Sequence, residues 1–178
     1  MKNQHSDLTQ QFLRDARRTL EKRYLPRVTR CLGKLSDDEI WWKPHRTSNS
    51  IGNLVLHLSG NVRQWIISGL GGAPDVRERD KEFAELGPLP RRALISRLRR
   101  TVTEASRVLA KLNARDLRRP YTIQKFHVTG LEAVFHVAEH FAYHAGQIIL
   151  ITKSKRGEDL GFTRLPGEKR RRANLPSI

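Results

Sequence analysis

Much of the architecture can be read from residues 129–153, TGLEAVFHVAEHFAYHAGQIILITK. Apolar positions such as Ala133, Val137, Ile148 and Ile151 fall on one side at three- and four-residue spacing, the period of an amphipathic helix. Thr129-Gly-Leu-Glu132 has the form of a capping box, so the spacing predicts a helix from Thr129 to about Lys153. Upstream, Leu94, Ile95, Leu98, Val102, Ala105, Leu109 and Leu112 share one side of a helix predicted over 91–113, and arginines cover the other. A further helix is predicted over 50–70, ended by Gly69, Gly71, Gly72 and Pro74. The first is predicted over 7–34, with Pro26 imposing a kink or break near Tyr24. Ser36-Asp-Asp-Glu39 is another capping box, opening a short turn before Pro44. Residues 75–90 read as a polar connection and 121–128 as a short extended piece, and no run keeps a sustained period-two alternation. Four long amphipathic helices predict an all-α four-helix bundle over residues 1–165, followed by a basic, partly disordered tail at 166–178.

The chain has 178 residues and 20.5 kDa, the size of one domain. Apolar runs such as Ile148–Ile151 are far shorter than the roughly 20 residues of a membrane span. The opening MKNQHSDLTQ lacks the apolar centre of a signal peptide, and a lone Cys31 excludes an internal disulfide and any multi-cysteine metal cluster. A cytoplasmic globular protein is the expectation. The net charge of +16 is unevenly spread. Residues 90–119 carry ten basic and two acidic side chains, whereas 36–89 and 120–151 are slightly acidic. The histidines of the predicted helices lie in those two acidic segments.

Of seven histidines, His136, His140 and His144 recur every fourth residue on one helix. Two histidines four apart share a helix face and can hold one metal ion through neutral ring nitrogens, though a polar stripe on a surface helix has the same spacing. At about 100° per residue, Glu132, Glu139 and Tyr143 mark the solvent direction, with His136 beside them. His140 and His144 turn partly into the bundle, where a polar group needs a partner. His57, on the flank of the apolar stripe of helix two, is either a boundary histidine or a third ligand facing this pair.

Ser36-Asp-Asp-Glu-Ile-Trp-Trp-Lys-Pro44, Ser48-Asn-Ser-Ile-Gly-Asn-Leu-Val-Leu-His57-Leu-Ser-Gly-Asn61 and His140-Phe-Ala-Tyr-His144-Ala-Gly-Gln147 together resemble the DinB/YfiT-like superfamily of metal-dependent proteins. Asp75-Val-Arg-Glu-Arg-Asp80-Lys-Glu-Phe83 matches a segment of one uncharacterised bacterial branch, and the resemblance covers roughly residues 8–165. It implies a four-helix bundle, often dimeric, with a divalent metal held by His57, His140 and His144. Characterised members include transferases and isomerases that use low-molecular-weight thiols.

Three neutral imidazoles would leave an ion with open positions, able to lower the pKa of a bound water or to ionise a thiol, and zinc, nickel and iron(II) all suit such donors. A hydrolase would also want a general base. None stands at a suggestive position: Glu132 and Glu139 point away, and the acidic cluster Asp75–Glu85 falls in a loop. Asn61 and Gln147 are candidates for orienting a ligand or substrate, or are ordinary boundary residues. Trp41, Trp42 and Trp65 suit core packing or a pocket wall, and Cys31 suits a buried hydrophobe. The competing class is a polyanion- or nucleic-acid-binding protein that uses the basic face of helix three and Lys169–Arg172, with a structural metal. No nucleic-acid motif accompanies those arginines, and weak non-specific binding is expected of them.

Overall fold

A computed structural model describes residues 2–163 and Gly167, with side chains from Leu8 onward; residues 166–178, read from sequence as a tail, otherwise lie outside the described residues. The first helical unit runs α1 (Lys2–Arg18), a π-helical stretch Thr19–Tyr24 and α2 (Leu25–Gly33). Pro26 falls in the first turn of α2, where its missing N–H costs least. The wider π turns just before it absorb the displaced carbonyl, so the helix continues where the sequence suggested a kink or break. Ser36 and Glu39 form the capping box of the short α3 (Asp37–Trp41). Trp41 leaves α3 to fill space over Gly52 and Gly87 and donates from Nε1 to the Leu89 carbonyl at 3.2 Å.

The second unit is α4 (Ile51–Val62) continuing into a π-helical stretch Arg63–Leu70. Every residue of α4 is buried, because it packs against α5 (Arg79–Ala84), α6 (Arg91–Leu109) and α8 (Gly130–Arg156). It forms the axis of the core. The third unit is α6, whose arginines at 92, 97, 99, 100 and 107 are exposed while Leu94, Leu98, Val102 and Leu109 are buried. After α7 (Ala114–Arg118), the piece read as extended is an antiparallel hairpin, β1 (Pro120–Ile123) and β2 (Phe126–Thr129). Gln124 and Lys125 both take positive φ, 51° and 68°, as a two-residue turn between right-twisted strands requires. Thr129 and Glu132 cap α8, which ends at Gly157 in the left-handed conformation. The architecture is thus the expected helical bundle with one small hairpin added. No helix among the described residues is long and apolar enough to cross a membrane.

Candidate metal centre

His57 sits on α4 and is 6% exposed, whereas His140 and His144 sit half-buried on the facing turn of α8. The fold brings these three together: His140 Nε2 lies 3.1 Å from His57 Nε2 and 3.2 Å from His144 Nε2. They form a group that could hold a metal ion, one ring nitrogen from each lying within 4.8 Å of the others.

The outer nitrogens indicate what the inner ones carry. His57 Nδ1 lies 3.0 Å from Glu82 Oε2, and His144 Nδ1 lies 2.7 Å from Gln147 Oε1. Both oxygens are acceptors, and in a neutral ring that places the proton on Nδ1 and turns the Nε2 lone pair inward. A proton on His140 Nε2 can point at only one of those lone pairs, which leaves the other contact with no hydrogen between its two nitrogens. A cation removes that conflict. Nitrogen ligands about 2.0–2.1 Å from a tetrahedral ion stand roughly 3.3 Å apart, close to the separations seen here. The donor set therefore fits a divalent ion. Burial, reinforced by His144 and His57, lowers the pKa of His140 to about 3 and so keeps it neutral. His144 is also lowered, chiefly by burial. His140 Nδ1 is itself buried without a hydrogen-bond partner among the described residues.

The acidic segment read as a loop forms α5 in part, and it brings in a carboxylate that the sequence reading did not single out. Glu82 is 6% exposed; Arg77 Nε donates to its Oε1 and Arg77 Nη2 to its Oε2, both at 2.8 Å. Burial alone would raise the Glu82 pKa, but hydrogen bonds from Arg77 and His57, together with the Arg77 charge, outweigh it and hold the carboxyl below its usual range. Asn53 Nδ2 pins this segment to α4 through the carbonyls of Glu82 at 3.0 Å and Glu85 at 2.8 Å. Five acids crowd residues 75–85, so composition could not distinguish the one that turns inward. The family likeness of Asp75–Phe83 was the only available pointer.

Gln147 meets His144 directly, whereas Asn61 does not reach the three nitrogens by a hydrogen bond. Its Nδ2 lies 3.3 Å from His136 Nε2, and its Oδ1 is buried without a partner among the described residues. His136, expected beside the solvent face, is half-buried because Trp65 covers it, with ring centroids 4.1 Å apart. Aromatic rings flank the other histidines: Phe83 lies 4.7 Å from the His57 centroid and Tyr143 lies 5.0 Å from that of His144. Trp65 is buried, while Trp42 is exposed under Lys155 Nζ at 3.6 Å.

A helical bundle with three histidines meeting between its second and last long helices defines a DinB-like protein. The chain belongs to the DinB/YfiT-like superfamily through the family described as "Protein of unknown function (DUF1572)", which it matches over residues 7–169. Among solved structures it is similar to a DinB-like protein from Bacillus cereus ATCC 10987. That match has a TM-score of 0.61 and 15% identity, covering 75% of this chain and 87% of the other. It speaks for the fold alone. No curated protein sequence matches the chain.

Proposed function

We propose that the protein binds one divalent ion, zinc, nickel or iron(II), through Nε2 of His57, His140 and His144 and uses it to activate a small nucleophile. A low-molecular-weight thiol is the favoured substrate class. The supporting observation is the convergence of three ring nitrogens, two of them with their outer Nδ1 atoms facing acceptors. A bound ion supplies positive charge and open coordination positions, which lower the pKa of a water or thiol placed there. The chain's residues present His140 and His144 already neutral, and the rings of Phe83 and Tyr143 border the site. Glu82 is committed to Arg77 and His57, which makes it a weak proton acceptor for a bound water. That favours a thiol, since binding to the ion ionises it without a base.

Elemental analysis of protein purified without an affinity tag tests this reading. The parent is expected to carry the ion, and His57→Ala, His140→Ala and His144→Ala to lose it. A parent that remains ion-free after growth with zinc, nickel and iron supplied overturns it.

The same reading includes a homodimer formed through α8. Leu131, Phe135, Tyr143 and Leu150 lie on one face of that helix and are between 47% and 66% exposed, an apolar row that a second copy would cover. Polyanion binding through the exposed arginines of α6 ranks below the metal reading, because those side chains lie along a convex helix with no groove motif to gather them.

A further inference from the structure

Glu82 is the one acid of the 75–85 run whose side chain is buried, and it is held from three directions. Arg77 grips both its oxygens, with its own side chain only 3% exposed. Arg77 Nη1 donates to Gln64 Oε1 at 2.9 Å, and Gln64 Nε2 donates to Asp75 Oδ2 at 2.8 Å, so the guanidinium cannot swing away. From α4, Gly60 leaves the space the pair occupies: a Cβ there would fall on Glu82 Oε1 and within 2.8 Å of Arg77 Nε. Glycine inside a helix is destabilising relative to alanine. This helix carries that cost at the position where the carboxylate must pass to reach His57.

From this arrangement we infer that Glu82 is a positioning residue for the ion site. It accepts the Nδ1 proton of His57, fixes that tautomer, and aims the Nε2 lone pair at His140 and His144, with Arg77 locking the carboxylate and Gly60 admitting it. The inference rests on the metal reading above and adds to it a dedicated support for one ligand. An ionised carboxylate only accepts hydrogen bonds, so at 3.0 Å it selects the Nδ1–H form of the ring, the form whose Nε2 can bind an ion. Arg77 Nη2, a donor only, also lies 3.1 Å from His57 Nδ1, but it donates to Glu82 Oε2 at the shorter 2.8 Å, which leaves the carboxylate as the acceptor for the ring. Buried ion pairs contribute little net stability, so a pair this enclosed is better explained by what it orients than by what it stabilises.

The test uses the full chain and Zn²⁺ alone, in competition with a chromophoric chelator, together with ¹⁵N NMR of the imidazoles in the metal-free protein. Glu82→Ala should weaken ion binding about 10- to 100-fold, the usual cost of losing the partner of a ligating histidine. Because that variant leaves Arg77 buried and unpaired, Gly60→Ala serves as the second. It keeps both charges and improves helix propensity, yet should displace the carboxylate and weaken binding in the same direction. In the parent spectrum His57 should be protonated at Nδ1 and bare at Nε2, and both variants should lose that preference, a change a purely structural role would not produce. Ion affinity within about twofold of the parent in both variants overturns the inference, as does a parent His57 protonated at Nε2. If the parent binds no ion, the metal reading falls and the tautomer measurement still decides the role of Glu82.

Discussion

His136 and His140 stand one helical turn apart on α8, yet their neighbours give them different chemistry. The Nε2 of His140 meets two other ring nitrogens, whereas the Nε2 of His136 meets the Asn61 amide and its ring lies against Trp65. Burial lowers the pKa of His136 as well, with Glu139 opposing weakly, so a depressed pKa alone does not mark a ligand. Metal content of His136→Ala should therefore match the parent while His140→Ala loses its ion; equal loss in both would place His136 among the ligands. A helical wheel sets His136 beside the solvent face and gives no sign of its cover, because a wheel shows only its own helix. The covering ring, Trp65, comes from the π-helical continuation of α4. Cys31 behaves as read: it is buried, and burial raises its thiol pKa, which keeps it protonated and unreactive.

At the level of the element, the capping box of α8 gives the clearest energetic expectation. Thr129 accepts from the Glu132 N–H at 3.2 Å, and Glu132 Oε2 accepts from the Thr129 N–H at 2.7 Å. These hydrogen bonds, the backbone one first and then that from the Thr129 hydroxyl, lower the Glu132 pKa. A carboxyl with a depressed folded-state pKa contributes stability that is present above its unfolded value, about 4.3, and is lost as pH falls through the folded value. Thr129→Ala should cost about 1 kcal/mol at neutral pH. For a domain of this size that is about 2–4 °C in melting temperature. The difference between variant and parent should shrink below about pH 4, as first the unfolded-state and then the folded-state carboxyl becomes protonated. Thermal melts across pH 3–7 check this, and a constant difference would contradict the linkage. The cap was legible from Thr129 and Glu132 alone because it spans four residues. The π turns before Pro26 were not, since they follow from how the rest of that helix packs.

For the whole molecule, the positive charge and the apolar row on α8 make separate predictions about association. Light scattering should give twice the 20.5 kDa chain mass, and a charge introduced by Leu150→Glu or Phe135→Glu should return it to the single-chain value. A parent at single-chain mass at high concentration removes the dimer. Nucleic-acid binding should be weak and independent of sequence, with a log–log salt slope near −0.9 per phosphate contacted. It should fade near physiological salt, where screening acts over about 8 Å. Tight binding at that ionic strength with a preference for one sequence would make the arginine face of α6 the functional surface.

The repeated apolar spacings over 7–34, 50–70, 91–113 and 129–153, with the capping box of α8 and the glycines that end the second helix, are enough to predict four long helices, because helical period and end signals are local properties of the chain. The same locality let His140 and His144 be paired, since residues four apart share a helix face whatever surrounds them. The partners of those residues were a different matter. His57 meets the pair across 83 residues of chain, and Glu82 meets His57 across 25. Nothing local separates Glu82 from the four other acids around it. Its role arises from packing: Asn53 holds its backbone, Arg77 grips its carboxylate, and Gly60 leaves the gap it enters. A carboxylate becomes a histidine's partner only when burial removes competing water and neighbouring helices fix its distance, and both conditions belong to the folded chain.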